Sequence, residues 1–426
     1  MNELSDLKEK EPVIPAFLVP PPFQFPSISF IKFLLERTIL LLSLSLVLPS
    51  PIPVSAEPLQ EDYKKIQMKE DILRGINLLY DLEFEEAEKL FYRVVENKPD
   101  HPIGYFYVAM VSWSKLSTGF WSQDMVKEYT DRIDKTITVA RKAIEKGKHD
   151  SYTYFYLGGA LGFRGRFELM RQNWFSAAND AWEAIQALKT CLKMDPENKD
   201  VLLGLGSYDY YTAKLSGVLK WLTYLFFHKG SKEGGLQKLH TAAEEATYSI
   251  IESKSMLIHI YMYMEEDHLK ALPLVLDLGS RFRNNPRYKF FEGIIYSRLG
   301  MDGQVIKATQ FMRQRSEQEA SGTKAAWWVR QALYLEASHW LFHGRYSQAR
   351  LSLDAILSDQ DPLNDPEMIA WPLLKKGMSF DLEGEREIAL QYYNQVLAME
   401  NGAGAQFLAQ KFTLSPPPKG DPFLGY

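Results

Sequence analysis

Glu336, His339 and His343 are the residues of this sequence best placed to do chemistry. Steps of three and four put all three on one face of a helix. A Glu-x-x-His pair with a second histidine one turn on supplies a carboxylate oxygen and two imidazole nitrogens to a divalent metal. Carboxylate-bridged sites draw matching ligands from other helices. The candidates here are His259 and the Glu265-Glu266-Asp267-His268 run, both in a different stretch of chain. Solvated or hydrogen-bonded histidines beside a turn are the ordinary reading of the same residues, so metal binding is the alternative and no cofactor is expected.

Other catalytic patterns are missing from the sequence. It has no Gly-x-Ser-x-Gly elbow, no Walker loop and no His-Glu-x-x-His. Gly204-x-Gly206, followed by Tyr208, Tyr210 and Tyr211, has no strand-like run before it, and close helix packing accounts for its glycines. The single cysteine, Cys191, rules out an intrachain disulfide and falls at a core step of a repeat, where a small buried hydrophobe is expected. A formal charge of −5 supplies no basic field for phosphates, so nucleic acid is not an expected partner. With neither a nucleophile nor an acid–base pair in view, the chain is expected not to be an enzyme.

The elements that position these residues are helices. From Glu61 onward apolar residues recur at three and four, strand-like alternation is absent, and turn signals are sparse. Gly377, Phe380, Gly384, Ala389, Tyr393 and Val396 form one unit, with small residues where two helices cross and large ones filling the holes between them. Forty residues earlier Ala337, Trp340, Gly344, Ala349, Leu353 and Ile356 repeat the same steps, closed by Asp361 and Pro362. Near the front Gly75, Leu78, Leu82, Ala87, Phe91, Val94 and Pro99 do so again. Two weaker units start at His259 and Gly293. At these positions the chain resembles the tetratricopeptide repeat superfamily, over roughly residues 68 to 401. The resemblance implies an all-α superhelix of stacked hairpins.

It also implies a binding surface. In that superfamily the first helix of each hairpin lines a concave groove. Carried over by spacing, the groove positions are Tyr80, Phe106, Trp113, Tyr152, Phe155, Tyr210, Tyr211, Met256, Tyr263, Phe290, Tyr334 and Phe342. The lysine and asparagine array that clamps a peptide carboxylate in some members is missing. An apolar-anchored peptide or protein segment is therefore the expected ligand. Burial of the same rings in a filled groove is the alternative.

Three middle units are long. Extra residues fall around Thr118-Gly119-Phe120-Trp121, across Trp174 to Asp180 in the unit of Gly158, Leu161 and Gly165, and across Ser216 to Gly235. They either project from one face as recognition tips carrying Trp121, Trp174 and Trp221, or lengthen helices that pack on each other. Leu219 to Phe227, aromatic and flanked by lysines, could rest on a membrane surface or pack against the neighbouring hairpin.

The ends differ from the middle. Lys32 and Arg37 precede an uncharged run, Thr38 to Leu48, and then prolines lead to Val54-Ser55-Ala56, a pattern that reads as a secretory signal cut before Glu57. Those eleven residues span about 16 Å as a helix, too short to cross a bilayer. The proline-rich stretch before Phe30 suggests a start codon placed too early. The domain expectation is a signal-bearing extension over 1–56, a helical repeat domain over 57–401 and a proline-rich flexible tail over 402–426 whose Phe423 and Tyr426 could dock in a groove. The expected function is a non-catalytic adaptor of the bacterial periplasm or envelope that binds a protein or peptide. The alternatives are a helical metal-binding protein or enzyme using Glu336, His339 and His343, a peripheral membrane protein, and anchoring by an uncleaved signal.

Overall fold

The computed structural model describes residues 57–118, 122–171, 173–214, 230–360, 365–400 and 402–418. The signal-like N-terminus, Trp121, Trp221 with the Leu219 to Phe227 stretch, Asp361 and Pro362, and Phe423 and Tyr426 lie outside the described residues. Among the described residues the secondary structure is helical, without strands, and no helix is long and apolar enough to cross a membrane.

Among the described residues seventeen α-helices follow one another, sixteen of them in antiparallel pairs. The first four hairpins are α1 (Glu57–Tyr80) with α2 (Phe84–Asn97), α3 (Pro102–Ser117) with α4 (Gln123–Glu145), α5 (Ser151–Met170) with α6 (Trp174–Met194), and α7 (Val201–Lys214) with α8 (Lys232–Glu245). In the fifth, α9 (Ile250–His259) runs into a π-turn (Ile260–Met264) before α10 (His268–Arg281). Then come α11 (Pro286–Arg298) with α12 (Asp302–Gln318), α13 (Gly322–Phe342) with α14 (Tyr346–Ser358), α15 (Glu367–Glu383) with α16 (Arg386–Ala398), and a single helix α17 (Ala405–Leu414). Polar caps start many of them: Ser122, Asp150, Ser231, Asp267, Asn285 and Ser321 each accept a hydrogen bond from a backbone N–H of the first turn.

The repeat steps read from the sequence have a structural meaning at each position. The seventh residue after a unit's first position adopts a left-handed backbone in five hairpins, at Leu82, Glu266, Gly300, Gly344 and Gly384. That conformation reverses the chain between paired helices, and glycine takes it at no steric cost. In these five hairpins the second helix then buries the twelfth, sixteenth and nineteenth residues after the unit's first position, as in Ala87, Phe91 and Val94 or Ala389, Tyr393 and Val396. At Gly206 and Gly235 the two helices of the fourth hairpin meet backbone to backbone. A Cβ on Gly235 would lie 2.6 Å from the Tyr210 amide nitrogen, so close packing, and not phosphate binding, explains the Gly204-x-Gly206 pattern.

The residues that lengthen the third unit are helix. Trp174 to Asp180 are the first turns of α6, and Gly165 of α5 faces Ala177 and Asp180. Arg164 clamps this extension with paired hydrogen bonds to buried Asp180, 2.8 and 2.6 Å, and a third to Asp134.

The superhelix is tight enough that later units sit on the tips of earlier ones. Asp81, at the first hairpin's tip, accepts from the Asn284 backbone N–H (3.0 Å) and side-chain amide (2.7 Å) in the loop between α10 and α11. Arg287 at the start of α11 donates to the Ser117 carbonyl at the end of α3. Gln123 at the start of α4 donates to Glu400 beyond α16 (3.0 Å), and Trp174 packs on Phe407 of α17. Tips of the first three units therefore meet the opposite edges of the units that follow one turn later.

The flexible tail expected from residue 402 is corrected over 402–418. Gly404, in a left-handed conformation (φ 85°), turns the chain, and α17 buries Ala405, Ala409 and Phe412 against the last hairpin. Trp371 Nε1 donates to the Ala403 carbonyl (3.1 Å) and Arg386 to the Thr413 carbonyl (2.9 Å). An end unit of a solenoid otherwise exposes its apolar face, and this helix covers it.

Candidate functional site

Six of the aromatic positions assigned to a concave groove are core. Phe106, Trp113, Phe155, Tyr210, Phe290 and Tyr334 are buried, with Phe290 stacked on Tyr334 at 5.6 Å and Phe163 wedged between Phe106 and Trp113. The physical reason is curvature: in so tight a superhelix first helices from neighbouring units converge and fill the space a wider turn leaves open. Phe342 is half-buried beneath the Arg298 guanidinium, 4.8 Å from its ring centre. Tyr80, Tyr152, Tyr211, Met256 and Tyr263 are also half-buried. Of these, Tyr80 donates to Glu252, Tyr152 to Asp200 (3.4 Å) and Tyr211 to the Met256 sulfur (3.5 Å), while Tyr263 lies edge-on to His259 and Phe291. Tyr210 donates to Glu265 (2.5 Å), a carboxyl that burial would raise but that hydrogen bonds from Lys232, Tyr210 and Lys214 hold near pKa 2.

One small, polar cavity lies where the tip of α3 meets the starts of α11 and α15. Thr118, Asn285, Arg287, Gln331, Asp365 and Glu367 surround a cavity of about 10 Å³, scarcely enough for one water. Burial raises Glu367 to about 7 against the opposing pull of Arg287. Lys375 is 1% exposed, and burial, with repulsion from Arg298, lowers it to about 7. Its ammonium lies 5.2 Å from the centre of the Tyr334 ring. Cys191 is buried and accepts from Asn198, and burial pushes its thiol to about 12, which leaves it inert at neutral pH.

A wider cleft lies at the hairpin tips. Between α4 and the α5–α6 tip an opening of about 490 Å³ is lined by Asp134, Arg164, Glu168, Arg171, Asn173 and Ser176, with Tyr129 and Phe167 at its floor. On α6, whose start lines the cleft through Asn173 and Ser176, Trp174 (42% exposed), Phe175 (86%) and Trp182 (44%) are exposed outside that lining. Trp174 is an expected tip residue. Phe175 and Trp182 were not singled out in the sequence, although Phe175 directly follows Trp174 within the same extension.

The metal-ligand trio of the sequence is rearranged. Glu336 is taken by Arg313, whose Nη2 lies 2.9 Å from both carboxylate oxygens, so Glu336 is corrected out of the set. Asp302, at the start of α12, takes its place. Its Oδ1 lies 3.6 Å from His343 Nε2 and 4.0 Å from His339 Nε2. The looser candidates do not join them: burial lowers His259 to about 4 with its Nδ1 against the Ser255 carbonyl, and Glu265 belongs to the lysine cluster.

No protein-family model matches the chain, and no curated protein does. Among solved structures it is similar to yeast Tom70 (10% identity, 79% of this chain and 87% of that one, TM-score 0.37). It is similar to a Rap protein complexed with Competence and Sporulation Factor (14%, 82% and 98%, TM-score 0.42). It is also similar to a human IFIT1 dimer with m7Gppp-AAAA (14%, 74% and 67%, TM-score 0.32). The chain's own elements make the fold an all-α superhelix of stacked helical hairpins.

Proposed function

We propose that this chain is a non-catalytic scaffold of the cell envelope that holds a protein or peptide segment at the cleft between α4 and the α5–α6 tip. The observation that carries the reading is the distribution of aromatic surface. The inward rings are largely buried, whereas Trp174, Phe175 and Trp182 stay exposed on α6, the helix whose first residues line an open cleft of about 490 Å³. Large aromatics lose few rotamers on binding and supply much contact area, so they serve as anchors, and the Arg171, Glu168 and Asn173 side chains offer a polar rim. Export rests on the signal-like Lys32 to Ala56 segment of the sequence.

The test is a cross-linked pull-down from native envelopes with residues 57–426 and a Phe175→Glu variant. Phe175 is so exposed that the change leaves folding intact. A discrete partner captured by the first and lost from the second is the expected result. Equal capture by both moves the site away from the tip. A variant altered at the half-buried inner Tyr152 and Tyr211 then decides whether the groove holds the partner.

A further inference from the structure

Asp302, His339 and His343 come together from two helices of consecutive units. Asp302 opens α12 just after the Gly300 reversal, and the two histidines end α13, which packs antiparallel to it. One ligand atom from each lies within 4.8 Å of the other two. The histidine rings, at i and i+4, have centroids 4.5 Å apart.

The histidine at the centre is fixed from behind. His339 is buried, and its Nδ1 lies 2.9 Å from the hydroxyl of Ser297, itself without exposed surface. With Nδ1–H donating to that oxygen, the lone pair of His339 sits on Nε2, the atom that faces Asp302 and His343. A hydrogen-bonded second nitrogen that sets tautomer and ring orientation is the usual support of a ligating imidazole. Asp302 and His343 are the exposed and half-exposed members, free to adjust. Bonds of about 2.0–2.1 Å place tetrahedral ligand atoms roughly 3.3 Å apart, so separations of 3.6 and 4.0 Å close by small side-chain rotations.

We propose that these three residues form a site for one divalent transition-metal ion of the zinc class. Two imidazoles and one carboxylate favour zinc, nickel or copper over magnesium or calcium, which take oxygen ligands. Three protein ligands leave a fourth position for water on the solvent side. Bound there, the ion ties the start of α12 to the end of α13, and so pins the sixth hairpin to the seventh. The site is separate from the tip cleft, and its occupancy does not depend on the scaffold reading.

The experiment uses tag-free full chain, stripped with chelator and titrated with zinc against a chromophoric competitor, with thermal unfolding followed in parallel. One equivalent bound and a rise in Tm of about 2–4 °C at a hundredfold excess over Kd are expected. His343→Ala and Asp302→Asn, both at accessible positions that tolerate change, should each weaken binding at least tenfold, and Glu336→Gln should bind as the parent does. Zinc bound equally by all variants, no binding at micromolar zinc, or loss in Glu336→Gln with retention in Asp302→Asn would each overturn the proposal.

Discussion

Trp174, at the start of α6, meets Phe407, near the start of α17, edge to face, with ring centroids 6.1 Å apart and planes at 71°. The chain's last helix is thereby seated on the tip of its third hairpin. An aromatic pair of this geometry contributes about 0.5–1.5 kcal/mol beyond its area. Phe407→Ala should lower global stability by about 1 kcal/mol. Native-state hydrogen exchange should show the loss concentrated in α17 and the first turns of α4 and α6, with α13 and α14 unchanged. Uniform acceleration across the chain would mean that the last helix is not a separable clamp.

Lys375 predicts a pH dependence. Its pKa in the folded chain, about 7, lies below the value near 10.4 of an unfolded lysine. Between those values the unfolded state binds the extra proton, so stability rises with pH across that window. Lys375→Met removes the charge from the interior and keeps most of the volume. The rise of stability between pH 7 and pH 10 that comes from this lysine should be absent from the variant. Denaturant titrations of both proteins at pH 6, 8 and 10 check this, and the same pH slope in both would mean that Lys375 is not its source.

Two of the left-handed turn residues that are not glycine, Glu266 and Leu82, predict opposite responses to the same substitution. Glu266, at φ 52°, is exposed, so Glu266→Gly relieves backbone strain without losing a contact and should add about 0.5–1 kcal/mol. Leu82, at φ 66°, is buried in the core. There the lost side chain, worth about 2–5 kcal/mol when a leucine is truncated in a core, outweighs the relief. Chemical denaturation of the two variants measures both signs.

The hairpins were legible because their grammar is local. Gly377, Gly384, Ala389 and Tyr393 lie within one unit, and small against large at those steps describes a crossing that no distant residue alters. Curvature is not local. Spacing places Phe290 and Tyr334 on the inner face, but whether that face is open depends on how far each hairpin is rotated against the next. Here the lengthened middle units and the Asp81–Asn284 junction accompany a narrow turn. Asp302 was missed for the same reason: it lies a whole hairpin crossing away from His339, and only packing brings them together. Helix α17 was not read in the sequence, although Ala405, Leu408, Ala409 and Phe412 keep a helical period. Gly402 and the prolines read as an ending, whereas Gly404 is a bend.

The seating of later units on the tips of earlier ones fixes the count of hairpins per turn. Most solenoids grow by duplicating a middle repeat, because each repeat answers only to its neighbours. In this chain one added hairpin would carry Asn284 away from Asp81, Glu400 away from Gln123 and Phe407 away from Trp174 at the same time. Its pitch is thus an inherited property of the whole, and its length can change only beyond the two ends.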